Sequence, residues 1–221
     1  DGTGSFSIAE YTPAEGMPEI QRGTIIRAVI KAADKEFLEK SRLESIIRKH
    51  SNFIPFPIYV DNEHINTTQA LWREPRQSVT REQYDEFYKF LSYDQRKPLE
   101  VIHLALDAPV QFNSLLFIPD TYDDYFEGNN EHWGLDLYVR RVLLQRENKE
   151  VLPDYLAFIK GVVDTEDLPI NISRETLQEN RVLRKIKQTI AKQVLSKLTD
   201  MAKDTPDTYK TFWELHGKVF K

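Results

Sequence analysis

The feature that most constrains this chain is a single apolar stripe near its carboxyl end. Val182, Ile186, Ile190, Val194, Leu198 and Met201 recur at intervals of three or four, the period of one face of an α-helix. The other faces are basic. Between Arg181 and Lys203 there are seven basic residues, and Asp200 is the one acid. The helical period begins at Ser173, and Thr205-Pro206 breaks it before a last amphipathic piece from Tyr209 to Phe220. The stripe must lie on an apolar surface, and the sequence upstream supplies one.

That upstream sequence alternates strands with helices. Residues 1–30 read as two strands around a loop: Ser5 to Ile8 alternates, Pro13 to Pro18 interrupts, and Gly23 to Ile30 is rich in β-branched residues. Asp34 precedes a helix through Phe37, Leu43 and Ile47, whose last turn carries Arg48, Lys49 and His50. Pro55 and Pro57 force the strand toward Val60 to start late or lie at an edge. Thr80 with Gln83 predicts a capped helix through Leu91. Val101 to Leu106 and Phe112 to Ile118 predict two strands of one sheet, and Leu135 to Leu144 reads as the clearest strand of all. Pro153 starts a short helix through Ile159, and Val162-Val163 begins another strand. The expectation is an α/β fold: a mixed sheet flanked by helices, with a C-terminal helical extension.

A length of 221 residues suffices for a sizeable core. The net charge of −5 is too mild for a general nucleic-acid binder, and cysteine is absent, which excludes disulfides and thiolate chemistry. No apolar run approaches the roughly 18 residues that would span a bilayer. The start at Asp1 is neither a methionine nor a signal peptide, so a fragment of a longer chain is expected.

Self-contained catalysis finds little support. His50, His64, His103, His132 and His216 are scattered without metal-ligand spacing, and no metal site is expected. His103, inside an apolar strand, reads as a satisfied sheet histidine. No nucleophile elbow or phosphate-binding glycine loop occurs, and the acid pairs Asp123-Asp124 and Glu166-Asp167 read as solvated. Two segments stand out. Asn171, Ser173, Arg174 and Gln178 gather hydrogen-bonding types where a loop enters a helix. Either Ser173 caps the basic helix while Arg174 pairs with an acid, or the helix start and Arg174 receive an anion such as a phosphate. Tyr122, Tyr125, Phe126 and Trp133 form an aromatic, acidic loop that either binds a partner or folds back on the domain.

Several runs then resemble one family in order and approximate spacing. They are Arg22-Gly23-Thr24, Leu71-Trp72, Glu86-Phe87-Tyr88, Leu116 to Pro119, Leu137 to Val142, Phe158 to Asp164, and Asp167 to Glu175 followed by Leu177-Gln178. Together they are similar to the heat shock protein 90 chaperones of the stress response, nearer the bacterial and organellar branches. The resemblance implies a middle-domain segment of an ATP-dependent folding chaperone. Residues 1–30 would be closing strands of the N-terminal ATP-binding domain, 31–178 the large α/β subdomain of the middle domain, and 179–221 a helical connector. Arg174 would reach the γ-phosphate, with Asn171 and Gln178 beside it as catalytic neighbours, and Gly23 and Thr24 would belong to the last nucleotide-contacting motif. ATP and Mg2+ would be bound by the full-length protein, with none bound tightly by this fragment, which should not hydrolyse ATP alone. Expected partners are the N-terminal domain of the same chain, partly folded clients and a second copy in a homodimer, with no nucleic acid and no membrane. The expected location is the cytoplasm, or alternatively an organelle interior. Asp94 to Pro98 departs from the family pattern by lacking a client-contacting tryptophan, which shifts the expected client surface to Tyr122, Tyr125, Phe126 and Trp133. The alternative is a passive client or co-chaperone module in which Arg174 is purely structural.

Overall fold

The computed structural model describes residues 22–121, 132–168 and 180–220. Two short strands, β1 (Tyr59–Val60) and β2 (Glu63–His64), pair with each other. The main sheet is built from β3 (Glu100–Leu106), β4 (Phe112–Ile118), β5 (Leu135–Val139), β6 (Val142–Asn148) and β7 (Lys160–Thr165), in the spatial order β3-β4-β7-β5-β6. All neighbours are antiparallel except β5 and β7, so the sheet is mixed.

The middle of this sheet is covered on both faces, which is why β4 reads as an unbroken apolar run. Leu115 and Phe117 join Phe53, Trp72, Phe87, Tyr88 and Tyr138 on one face. Leu116 and Ile118 join Leu137, Phe158 and Val163 on the other. The first face is closed by α2 (Arg81–Ser92) and by a 3-10 turn at Leu71–Arg73. The expected capping box is present: Gln83 N donates to Thr80 Oγ1 at 3.3 Å, and Thr80 N to Gln83 Oε1 at 2.9 Å. Ahead of these, a 3-10 segment at Ala32–Leu38 leads into α1 (Lys40–His50).

The second face is closed by α3 (Arg181–Asp204), which carries the stripe. Its buried residues are Leu183, Ile186, Ile190, Val194, Leu198 and Met201, so Leu183 takes the place expected for Val182. Asn180 caps it, accepting from Val182 N at 2.8 Å. Ser173 is therefore not the cap of this helix. Pro206 then starts α4 (Pro206–His216) at a position where a missing N–H costs nothing. At its end, buried His216 donates from Nε2 to Pro119 O at 3.0 Å and stacks on Phe158, tying α4 to the end of β4.

Three expectations are corrected. Leu135 to Leu144 is not one strand but a hairpin, with Arg140 (φ 51°) and Arg141 (φ 67°) as its two-residue turn. Such turns are normally announced by Asn-Gly, because φ must be positive twice; Arg-Arg gives no such signal. Gly23 to Ile30 forms no strand among the described residues. The helix after Pro153 is a single 3-10 turn, Asp154–Leu156. The strand after Pro57 does start late, at Tyr59.

Ile190 is fully buried beneath the sheet. Ile190→Ala should cost about 2–5 kcal/mol in urea-unfolding experiments, whereas a loss below about 1 kcal/mol would show that α3 is not seated on this core.

Candidate functional site: the carboxyl end of the central strand

The chain leaves the sheet at the end of β7, ahead of the segment singled out in the sequence. Asn171, Ser173, Arg174 and Gln178 lie outside the described residues. Their two anchors do not. Leu168 is buried in the core, and Asn180 begins α3. Between β7 and Leu168 the chain is held step by step. Thr165 Oγ1 donates to Gln111 O at 2.8 Å, Asp167 N donates to Thr165 Oγ1 at 3.2 Å, and Gln111 N donates to Asp167 Oδ2 at 3.0 Å.

Just before this exit stands Asp164, on β7, with no solvent exposure. Trp72 Nε1 donates to its Oδ2 at 2.9 Å, and Arg73 Nε to the same oxygen at 2.7 Å. Its Oδ1 accepts from Arg141 N at 3.2 Å. The neighbouring Thr165 O accepts from Arg140 N, also at 3.2 Å. The left-handed Arg-Arg turn is thus fastened to β7 through its two backbone N–H groups, one on the Asp164 carboxylate and one on the Thr165 carbonyl. Arg73 reaches further: its Nη1 donates to Glu166 Oε1 at 2.7 Å. Burial opposes the Arg73 cation, but the bonds and charges of Asp164 and then Glu166 outweigh it and raise its pKa. Both oxygens of Asp164 are engaged, so it is neither a free base nor an open metal ligand. The arrangement is a clamp that fixes the end of β7 and the bend that follows it.

The pair Glu166-Asp167, expected to be merely solvated, is instead part of this clamp. Trp72, Arg73 and Asp164 carried no motif-level sign of the role. The two sides of the clamp are separated by 91 and 92 residues in sequence, beyond any local period.

Gly23, in a bend, and Thr24 are exposed. Tyr122, Tyr125 and Phe126 lie outside the described residues, as do Asp123 and Asp124. Trp133 is half-buried against the core, with Lys149 Nζ 5.0 Å from its ring centroid. His103 is the satisfied sheet histidine expected: it bonds Tyr84 OH through Nδ1 at 2.7 Å and Trp72 O through Nε2 at 3.2 Å. A carbonyl only accepts, so Nε2 carries the proton and Nδ1 accepts from the phenol. Among the described residues no three His, Asp or Glu side chains gather as a metal site, and no helix is long and apolar enough to cross a membrane.

Two outcomes test this description. Asp164→Ala leaves Arg73 half-buried without its carboxylate and should cost about 3–5 kcal/mol of unfolding free energy; a loss under about 1 kcal/mol would remove the clamp's structural role. Burial lowers the pKa of His103, with nearby Arg76 adding to it and the Trp72 carbonyl opposing. The unfolded chain therefore binds more protons below about pH 6.5. The stability His103 contributes is complete above that value and is lost as the pH falls through its folded pKa. Unfolding free energies followed from about pH 7 to about pH 5 should fall less steeply in His103→Gln than in the parent; equal slopes would refute the assignment.

Comparisons with known proteins agree with one another. The family model described as Hsp90 protein matches residues 59–221. The chain is 58% identical over 221 residues to the chaperone protein HtpG of Nitratidesulfovibrio vulgaris, and 55% identical to that of Oleidesulfovibrio alaskensis. To the HtpG of Chlorobaculum tepidum it is 40% identical over 223 residues. All of this chain is covered in each case, but only 34% of each relative, so the chain spans about a third of their length.

Proposed function

The chain belongs to the Hsp90 protein family, and from that premise we propose that it is a middle segment of an ATP-driven folding chaperone that presents Arg174 to a nucleotide held by another domain. The observation that carries this reading is the run Asp167 to Glu175 issuing from the clamped end of β7. A forked guanidinium suits a terminal phosphate, forming paired charge-assisted bonds. It acts by stabilising charge on the transferring phosphoryl group. Asn171 and Gln178 fit as hydrogen-bonding neighbours that hold the arginine in place.

ATP and Mg2+, which supply the transferable phosphoryl group and its counter-charge, are assigned to an N-terminal domain of the longer chain. Gly23 and Thr24 fit the edge of that domain's nucleotide site. Tyr122, Tyr125, Phe126 and Trp133 fit a client-binding surface, and dimerisation is assigned to the full-length protein.

The test is Arg174→Ala in the full-length chaperone. Turnover should fall by about 10³ or more, as for other arginines supplied to a phosphoryl group, with the thermal midpoint nearly unchanged. Undiminished ATPase activity would eliminate the phosphate role. A marked fall in the midpoint would favour the purely structural pairing instead.

A further inference from the structure

We propose that the cavity between α2 and the turn after α1 binds an extended peptide segment in which a large apolar side chain is followed by a lysine or arginine. The proposal is independent of the role assigned to Arg174. The cavity has a volume of about 270 Å³. Phe53, Leu71 and Phe87, all buried, form its floor, and Phe90, 56% exposed, forms a wall. The rings of Phe53 and Phe87, Phe53 and Phe90, and Phe87 and Phe90 meet with centroids 6.2, 6.3 and 6.1 Å apart. The side away from α2 is held by hydrogen bonds. Thr67 N and Oγ1 donate to Asn52 Oδ1 at 3.1 and 3.2 Å, and Gln69 N donates to Thr67 O at 2.8 Å. The site is therefore formed before anything binds.

Size and polarity select the occupant. Sites that enclose a whole small ligand hold about 300–1,000 Å³, so this cavity takes one side chain of a longer molecule. Three aromatic rings require that side chain to be apolar, and an aromatic guest meets them edge to face. The rim then faces the main chain and the next residue. Gln83 Oε1 accepts from Thr80 N at 2.9 Å, which leaves its Nε2 as an unpaired donor, and the Gln69 side-chain amide is unpaired as well. Such amides suit the carbonyl and N–H groups of a peptide. Glu86 is exposed, is the one charge in the lining, and has no ion pair among the described residues. A cation next to the apolar anchor completes the site, and an acid there is repelled. Gln83, Glu86, Phe87 and Phe90 recur at helical spacing, so one face of α2 supplies amide, carboxylate and rings together. A phenylalanine more than half exposed on that face is the contact an incoming segment buries.

The experiment follows the isotope-labelled chain by NMR as a synthetic peptide is added, acetyl-Gly-Ser-Phe-Lys-Ser-Gly-amide. The side-chain amide signals of Gln69 and Gln83 should move saturably. Replacing the peptide's phenylalanine by alanine should weaken binding at least about tenfold, the factor that burying a large apolar side chain brings. Phe90→Ser should weaken the parent peptide with the thermal midpoint unchanged. The unaltered chain should prefer the Phe-Lys peptide to its Phe-Glu counterpart by about twofold to fivefold, and Glu86→Lys should reverse that order. Absence of a saturable shift, or equal affinity for the two peptides, overturns the proposal. So does equally tight binding of N-acetylphenylalanine amide, which would make this a small-ligand site. Dimerisation of the unaltered chain in sedimentation, abolished by Phe90→Ser, also overturns it, because a second copy would then fill the cavity. The peptide series needs no altered protein and decides the matter even where a variant fails to fold.

Discussion

Asp164 lies on β7, the central strand of five, with its carboxylate fully removed from water. A charge in that position is costly unless its oxygens are bonded and a partner charge is near. Here Trp72, Arg73 and Arg141 meet those needs from three different parts of the chain. The 3-10 turn at Leu71–Arg73, the β5–β6 hairpin and the exit of β7 are consequently fixed with respect to one another. The hairpin depends on this most. Two non-glycine residues in the left-handed region cost about 1–2 kcal/mol each, and the bonds from their N–H groups to Asp164 and Thr165 help to offset that cost.

Around this carboxylate the sheet keeps its two faces distinct. Val162 points to the face lined by Trp72 and Phe87, and Val163 to the face covered by α3. Gly161 is needed at the crossing with β4. A Cβ there would sit 2.4 Å from Leu115 O, so no other residue fits without moving a central strand. The basic helix buries its apolar stripe in the core on the second face of that sheet. Residues 169–179 are therefore bracketed by two well-anchored ends, Leu168 and Asn180.

The sequence and the tertiary structure divided the information along a physical line. Period and capping determined the helix at Arg81–Ser92, and period alone the body of the helix at Arg181–Asp204, whose cap was expected at Ser173 and is Asn180, because such signals lie within a few residues of the structure they produce. The apolar runs of β3 and β4 announced their strands for the same reason, and His103 was legible as a strand histidine from its neighbours. The family, too, was legible in runs of consecutive residues. What could not be read locally was anything whose partner is distant. The Arg140-Arg141 turn exists because β7 supplies its acceptors, and Gly23 to Ile30 has β-branched residues but no paired strand among the described residues. No motif singled out Arg73, and Glu166 read as a solvated acid. Only the folded chain brings them within 2.7 Å, because ion pairs leave no period in sequence and are selected by geometry across the sheet.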